Sequence, residues 1–556
     1  MLFRHSAVLR RTMATRPTSS RRSLSSRPLR LAIIGAGPSG FYTASKILQT
    51  LPMGSEHGDH IEVHMYDRLP TPYGLARYGV APDHPEVKNC QHKFDELATD
   101  PRFRFFGNVC IGSSTSPLPG SGSYTYPDAL HIPLTSLYPY YNTLLFSYGS
   151  SHSTPLPNTP GSSASPDRLE NVFPALAFVN WYNGHPAYTH LAPDLSGKEV
   201  TIVGHGNVAI DCARILLKPP SEFASTDMPT PIIEHLKTSK VKRVEVVGRR
   251  GPAQVAFTTK EFREMVNLEG IRYEPVKGEM LEQAKGMVQG DRARSRLLDL
   301  MAKGGKKKPS GSVEDKEFSL GFLRSPKSFL SDPTSSTPKR ISSILWAQNA
   351  LLPQPSTPPS PSPGAPADPA SVPTVSSLSV LARPTGEEFE RRTGMVIESV
   401  GYRGEPIWDV KDAEGEMGGA GVPFDRARAR VMNMEGRVTD GSGVMIPGMY
   451  TAGWIASGPI GVIASTMQRA YAVASTILTD HYQSPATAAS SSSSILNLTP
   501  ELGATPDFVK NSTKRVVNLG DWKRIDEAEV ERGQKAGGGK PREKFVSIRE
   551  MLAVLD

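Results

Sequence analysis

Two glycine triplets carry the most readable chemistry in this 556-residue chain. The first, in LAIIGAGPSG, sets Gly35, Gly37 and Gly40 in GxGxxG spacing, with Pro38 and Ser39 inside it. Behind a strand, such a turn serves an anionic dinucleotide. Its first glycine permits the tight bend, its second lets backbone approach a pyrophosphate, and its third lets the next helix lie close on the strand. The helix N-terminus then offers free N–H groups to the anion. Asp67, closing the next strand in IEVHMYD, can accept hydrogen bonds from adenosine ribose hydroxyls and repels a 2′-phosphate, so this site suits FAD or NAD. The second triplet, in VTIVGHGNVAIDCAR, sets Gly204, Gly206 and Ala209 in GxGxxA spacing around His205, Asn207 and Val208. The strand after it, VKRVEVVGRR, ends in Arg249 and Arg250 instead of an acid. Two guanidinium groups match the 2′-phosphate of NADP in charge and fork geometry. Opposite ribose chemistry at two sites is a division of labour, with FAD held at one and NADPH docked at the other. Hydride then passes from nicotinamide to flavin, and the protein orients the cofactors that carry the chemistry. No HExxH, GxSxG or clustered Cys/His pattern calls for a metal or a protein nucleophile.

The elements needed to position these turns are written around them. Leu29–Ile34 and Val200–Val203 are aliphatic, β-branched runs ending in glycine, each a buried strand. Helices are expected over 39–51 and 208–217, and further strands over 61–67 and 241–247. The strand–glycine–helix unit occurs twice, which predicts an α/β protein with two Rossmann-like dinucleotide domains. Loop is expected at 112–122 and 150–166. Nine prolines between residues 353 and 373 mark a disordered insertion at about 350–380; order is expected again at Gly394–Val400. The last strong helix is expected over 462–478. No apolar run approaches the roughly 18 residues of a membrane span. Three cysteines without a CxxC pair argue against a disulfide framework or an iron–sulfur cluster held by this chain.

Net charge is +8, which suggests a partner such as nucleic acid until its distribution is read. Residues 1–30 hold eight arginines and no acid, leaving 55 basic against 55 acidic residues in the rest. An Arg- and Ser-rich, acid-free N-terminus reads as a mitochondrial presequence, assigned to 1–29. No nucleic-acid partner is expected, since no RRM, KH or zinc-finger pattern occurs. A flavin monooxygenase would carry FxGxxxHxxxW between its glycine loops, and none is found. A non-enzymatic NADPH-binding protein would not need Asp67, Trp454 and the GPIGVI loop together.

Longer stretches resemble the adrenodoxin reductase family of mitochondrial ferredoxin–NADP reductases: PYGLARYGVAPDHPEVKN, FVNWYNG, GHGNVAIDCARILL, VGRRGPAQVAFTTKEFREM, FLRSP, MYTAGWIASGPIGVIASTM and a tail DWKRIDEAEVERGQ followed by GKPREK. The resemblance implies a glutathione-reductase-like architecture. The FAD domain would be discontinuous, built from 30–149 and 401–556, with an NADP domain at 150–400 inserted. It implies FAD contacts at Asp67, where the family usually has Glu, and at Leu75, Ile111, Trp454, Gly461, Val462 and Ile463. NADP contacts are implied at Gly204, His205 (often Gln in the family), Gly206, Asn207, Val208, Arg249, Arg250, Glu261 and Gly461. His84 is expected to pair with Asp211 in proton or electron transfer. Arg263, Arg292 and Arg296, with Arg294 between the last two, are expected to dock an acidic mitochondrial [2Fe-2S] ferredoxin. That partner would serve cytochrome P-450, iron–sulfur cluster or haem A pathways. The place implied is the mitochondrial matrix, with at most peripheral association with the inner membrane.

Overall fold

The computed structural model describes residues 27–112, 125–305, 316–353, 380–411, 417–461, 463–482 and 495–556. The arginine-rich segment up to residue 26, the proline-rich stretch 354–379 and Val462 lie outside the described residues. The first strand begins at Leu29, one residue inside the segment assigned to the presequence, because Leu29 is already fully buried in the sheet.

Two sheets position the glycine turns. The first runs, edge to edge, through Asn433–Met434, Arg437–Thr439, Met445–Thr451, Thr143–Phe146, Leu29–Ile34, Ile61–Tyr66 and Phe103–Phe106. Its last five strands are parallel. Leu29–Ile34 lies inside the sheet with every residue buried, which is why it reads as an unbroken apolar run. The helices Pro38–Thr50 and Ile463–Tyr482 pack together on one face. The second sheet is wholly parallel, in the order Ile271–Tyr273, Lys316–Gly321, Arg243–Val247, Glu199–Val203, Met395–Glu398 and Val172–Pro174. The helices Ala175–Tyr182 and Asn207–Leu217 share its core.

Register brings the candidate residues to one edge of each sheet. Ile34 stands opposite Tyr66 and Phe146, and Phe146 opposite Thr451. Gly35, Asp67, Ser147 and Ala452 therefore leave their strands side by side. Val203 stands opposite Val247 and Glu398, which sets Gly204 beside Gly248 and Ser399. Ligand crevices of open α/β sheets form at this carboxyl edge of the strands.

The chain passes between the sheets twice, and the passages touch: His152–Ser153 pairs antiparallel with Tyr402–Arg403. A third sheet, absent from the sequence reading, is antiparallel and joins Arg324–Ser331, Ile341–Pro353 and Val380–Arg392. The strand Val380–Arg392 begins fourteen residues before Gly394, where order was expected. Among the described residues no helix is long and apolar enough to cross a membrane.

Candidate functional site

At the first turn, two of the glycines answer steric demands and the third answers none. Gly35 sits at φ +103°, where an added Cβ would lie 2.5 Å from Tyr148 Cα. A Cβ on Gly40 would lie 2.7 Å from Gly35 O and 3.0 Å from Ile33 Cγ2, so the helix lies on the strand only because the side chain is missing. Gly37 has nothing within 4 Å of its missing Cβ; its freedom serves the open space in front of it. Asp67 accepts from Ala36 N at 2.8 Å and Leu69 N at 2.9 Å. It therefore staples the turn it was expected to complete, while burial pushes its carboxyl upward against those hydrogen bonds.

The second turn repeats the plan. Gly204, at φ +125°, would place a Cβ 2.0 Å from Ser399 O, and Gly206 again faces open space. Asn207 Oδ1 accepts from Thr258 N at 2.8 Å, tying the turn to the segment that carries Glu261. The side chain of His205 turns inward. Its Nε2 donates to Val246 O at 3.0 Å, its ring lies 4.8 Å from Phe322, and burial holds its pKa down at about 4. That ring is committed to the protein, unlike the hydrogen-bonding side chain expected at the nucleotide. Arg249 is exposed and Arg250 half-buried at the end of Arg243–Val247. Burial, with Arg249 and Arg294 close by, depresses the Arg250 guanidinium. Arg294 Nη1 donates to Ala253 O at 2.7 Å, on the turn just after this pair.

One cavity of about 450 Å³ joins the two turns. Gly35, Gly37, Pro38, Ser39, Asp67, Leu75 and Ile111 line it from the first sheet's side, and Trp454, Gly461 and Ile463 from the C-terminal segment. Asn207, Val208, Asp211 and Glu261 line it from the second sheet's side. Gly40, Gly204, His205, Gly206, Arg249 and Arg250 are not among its lining residues. Ser150 Oγ and Asn180 Oδ1 face the cavity buried and without a protein hydrogen bond. Two open glycine cradles, orphaned polar atoms and an apolar wall fit a pair of nucleotide cofactors meeting end to end.

His84 and Asp211 both line the cavity, but among the described residues no hydrogen bond joins them. His84 Nε2 lies 3.3 Å from Glu264 Oε2 and its Nδ1 3.3 Å from Glu86 Oε1. Asp211 accepts from Arg214 Nη2 at 2.8 Å. The expected pair is therefore a larger constellation centred on Arg214. This fully buried guanidinium donates to Asp83 at 2.7 and 3.2 Å and stands 3.7 Å from Glu261 and 3.8 Å from Glu264. The Glu264 carboxylate against its Nε2 raises the His84 pKa above its ordinary value. Burial raises Asp211 to about 6 despite Arg214. The donor atoms of Asp83, His84 and Glu264 come within 4.8 Å of one another, and Arg214 supplies the counter-charge that a cation would bring. Sequence reading missed Arg214, Glu264 and Asp83. Asp211 and Arg214 three apart on one helix, and Glu261 and Glu264 three apart on another, were the available signal.

Arg263 is exposed on the helix Thr259–Met265, and Arg292 and Arg296 are exposed four residues apart on Arg292–Lys303. The two helices touch. Arg294 departs from this group by turning toward Ala253.

No family model matches the chain. It is 37% identical over 533 residues, 94% of its length and 93% of the relative's, to the protein named NADPH:adrenodoxin oxidoreductase, mitochondrial, of Drosophila melanogaster. It is 33% identical to the protein of the same name from Arabidopsis thaliana, over 99% of each chain. Among solved structures, Mycobacterium tuberculosis FprA in complex with NADPH is similar at a TM-score of 0.72 and 30% identity, over 95% of this chain and 99% of that one.

Proposed function

The chain belongs to the NADPH:adrenodoxin oxidoreductase family, and from that membership we propose that it holds FAD at the first glycine turn, takes NADPH at the second and reduces an acidic [2Fe-2S] ferredoxin in the mitochondrion. One observation carries the reading: a single cavity runs from the turn closed by Asp67 to the helix start beside Glu261. When bound, FAD accepts a hydride from NADPH and releases electrons singly to the iron–sulfur centre.

The protein's own part is to bind, orient and exclude water. Gly37 and Gly206 leave room for pyrophosphates at two helix N-termini. Asp67 holds the turn rigid, and its carboxylate would accept from ribose hydroxyls and disfavour a 2′-phosphate there. Arg249 and Arg250, with Arg294 alongside, select the 2′-phosphate. Trp454 and Ile463 close the cavity where the two cofactors meet. Glu264, 3.3 Å from His84 Nε2, favours the charged form of that ring beside the meeting point, and Arg214 fixes the surrounding carboxylates. Arg263, Arg292 and Arg296 form the basic face for the ferredoxin. An arginine in the first turn of a helix opposes the helix dipole, so Arg292 is better explained by a partner than by stability. The matrix is the proposed site of action.

The test is spectroscopic. The purified protein is expected to be yellow, to bleach with NADPH without oxygen, and to regain colour on adding oxidised adrenodoxin-type ferredoxin. NADH is expected to bleach it far more slowly. A colourless protein, equal use of NADH, or colour that returns with oxygen but never with ferredoxin would refute the assignment.

A further inference from the structure

An arginine-rich hairpin stands beside the cavity wall, on the first sheet's side. The sequence FDRARARV folds with Phe424 opposite Val431 and Asp425 opposite Arg430. Alanines alternate with arginines across its turn. Ala429 is buried and adopts φ +51°, a left-handed conformation unfavourable to a residue with a Cβ. Its carbonyl accepts from Gly404 N at 3.0 Å. The alanine is thereby anchored while Arg426 and Arg428 stand out in solvent, Arg428 with 70% of its side chain exposed. Arg403 adds a further guanidinium, donating to Arg426 O at 3.3 Å.

This hairpin touches the short helix Trp454–Ser457, whose first residue lines the cavity. On the other flank of that helix, Arg469 donates to Ser457 Oγ at 2.8 Å and reaches Ile460 O at 3.5 Å. Ile460, in the loop that leads to Gly461, is 63% exposed. Arg428 is paired with Asp425 at 3.5 Å. Among the described residues Arg403, Arg430 and Arg469 have no carboxylate within ion-pair reach. Arginines of the hairpin and Arg469 thus lie against the same short helix, Trp454–Ser457, and Arg469 also reaches the backbone of the exposed Ile460.

We propose that Arg403, Arg426, Arg428, Arg430 and Arg469, gathered on the helix Trp454–Ser457, form a second docking surface for an acidic electron-accepting protein. It lies on the first sheet's side of the cavity, separate from Arg263, Arg292 and Arg296. The inference rests on the ferredoxin-reducing reading above. A partner seated here would rest on the helix whose first residue, Trp454, lines the cavity. Guanidinium groups steer an acidic partner and fix its orientation, and the exposed Ile460 beside Arg469 offers an apolar contact.

The experiment uses the holoenzyme and an adrenodoxin-type [2Fe-2S] ferredoxin. Arg426→Glu combined with Arg428→Glu is expected to raise the half-saturating ferredoxin concentration by about tenfold at low salt and to flatten its salt dependence. NADPH reduction of ferricyanide and flavin absorbance are expected to match the wild type, which also reports folding. The neutral pair Arg426→Gln and Arg428→Gln is expected to fall between. Unchanged ferredoxin kinetics in both pairs overturns the proposal. So does a loss of binding to cardiolipin vesicles with ferredoxin kinetics intact, which would make the face a membrane contact. If the wild-type holoenzyme, bleached by NADPH, never reduces ferredoxin, the underlying reading fails instead; the variants speak to docking only once wild-type reduction is seen.

Discussion

At the scale of single residues, the Arg214 constellation decides the protonation of the cavity floor. His84 would be pushed down by burial and by Arg214, and its pKa stands above the ordinary 6.5 because the Glu264 carboxylate lies against it. Glu264 is lowered by the same contact. A histidine raised on folding adds stability that is complete below its unfolded pKa and fades as pH climbs through the folded value. A lowered glutamate adds stability that is present above its unfolded pKa and fades as pH falls through the folded value. The pair is therefore strongest between the carboxylate range and neutrality. In Glu264→Gln, the His84 ring proton is expected to titrate lower than in the wild type by NMR. The stability gap between the two proteins is expected to close as pH rises past neutrality. Identical His84 titration in both would remove Glu264 as the cause. The glycines of both turns were legible because their demands are local: Gly35, Gly40 and Gly204 each avoid a clash set by a few neighbouring atoms. The constellation was not, because residues 83–84, 211–214 and 261–264 lie on three separate segments that meet only in the folded chain.

At the scale of elements, the C-terminal segment works as a rivet. Lys544, on the tail, and Lys88, beside the first sheet, both converge on Asp227, at 2.9 and 2.7 Å. Lys544 also donates to Arg77 O and Asn183 O. Glu543 accepts from Thr230 N and Oγ1, and Glu529 clasps Arg77. Residues from both sheets' surroundings are thus bound through Glu529 and the tail stretch GKPREK. Two lysines hold the Asp227 carboxyl well below its ordinary range. Removing it strands two buried ammonium groups, so Asp227→Ala is expected to cost about 3–5 kcal/mol in urea unfolding. Asp227→Asn is expected to cost less, since it keeps hydrogen-bond acceptance. A loss below about 1 kcal/mol for the alanine variant would deny the rivet. The tail's motif was visible in the sequence, but its partners, 313 to 467 positions earlier, were not. The strand Val380–Arg392 was missed for another reason. It is mostly exposed on both faces, so VLARPTGEEFERR shows no alternation for a period-two reading to find.

At the scale of the whole molecule, charge is arranged by place. Beyond residue 30 the chain carries 55 basic and 55 acidic residues, so a ferredoxin meets no net field, only patches. Arg292→Glu with Arg296→Glu is expected to raise the half-saturating ferredoxin concentration by about tenfold at low salt, with the gap to wild type narrowing as salt approaches 0.5 M. A gap that ignores salt would mean that these arginines act through the fold. The paired passage strands have a consequence at the same scale. Ser153 and Tyr402 face each other in one ladder, which sets their backbones about 5 Å apart. Everything between them, the whole six-stranded sheet included, enters and leaves through a doorway one residue wide. Cut there, the chain could be rejoined by a dipeptide, and another nucleotide module whose ends meet could be grafted into the gap. The architecture is open to exchange of its coenzyme-reading half at a single seam.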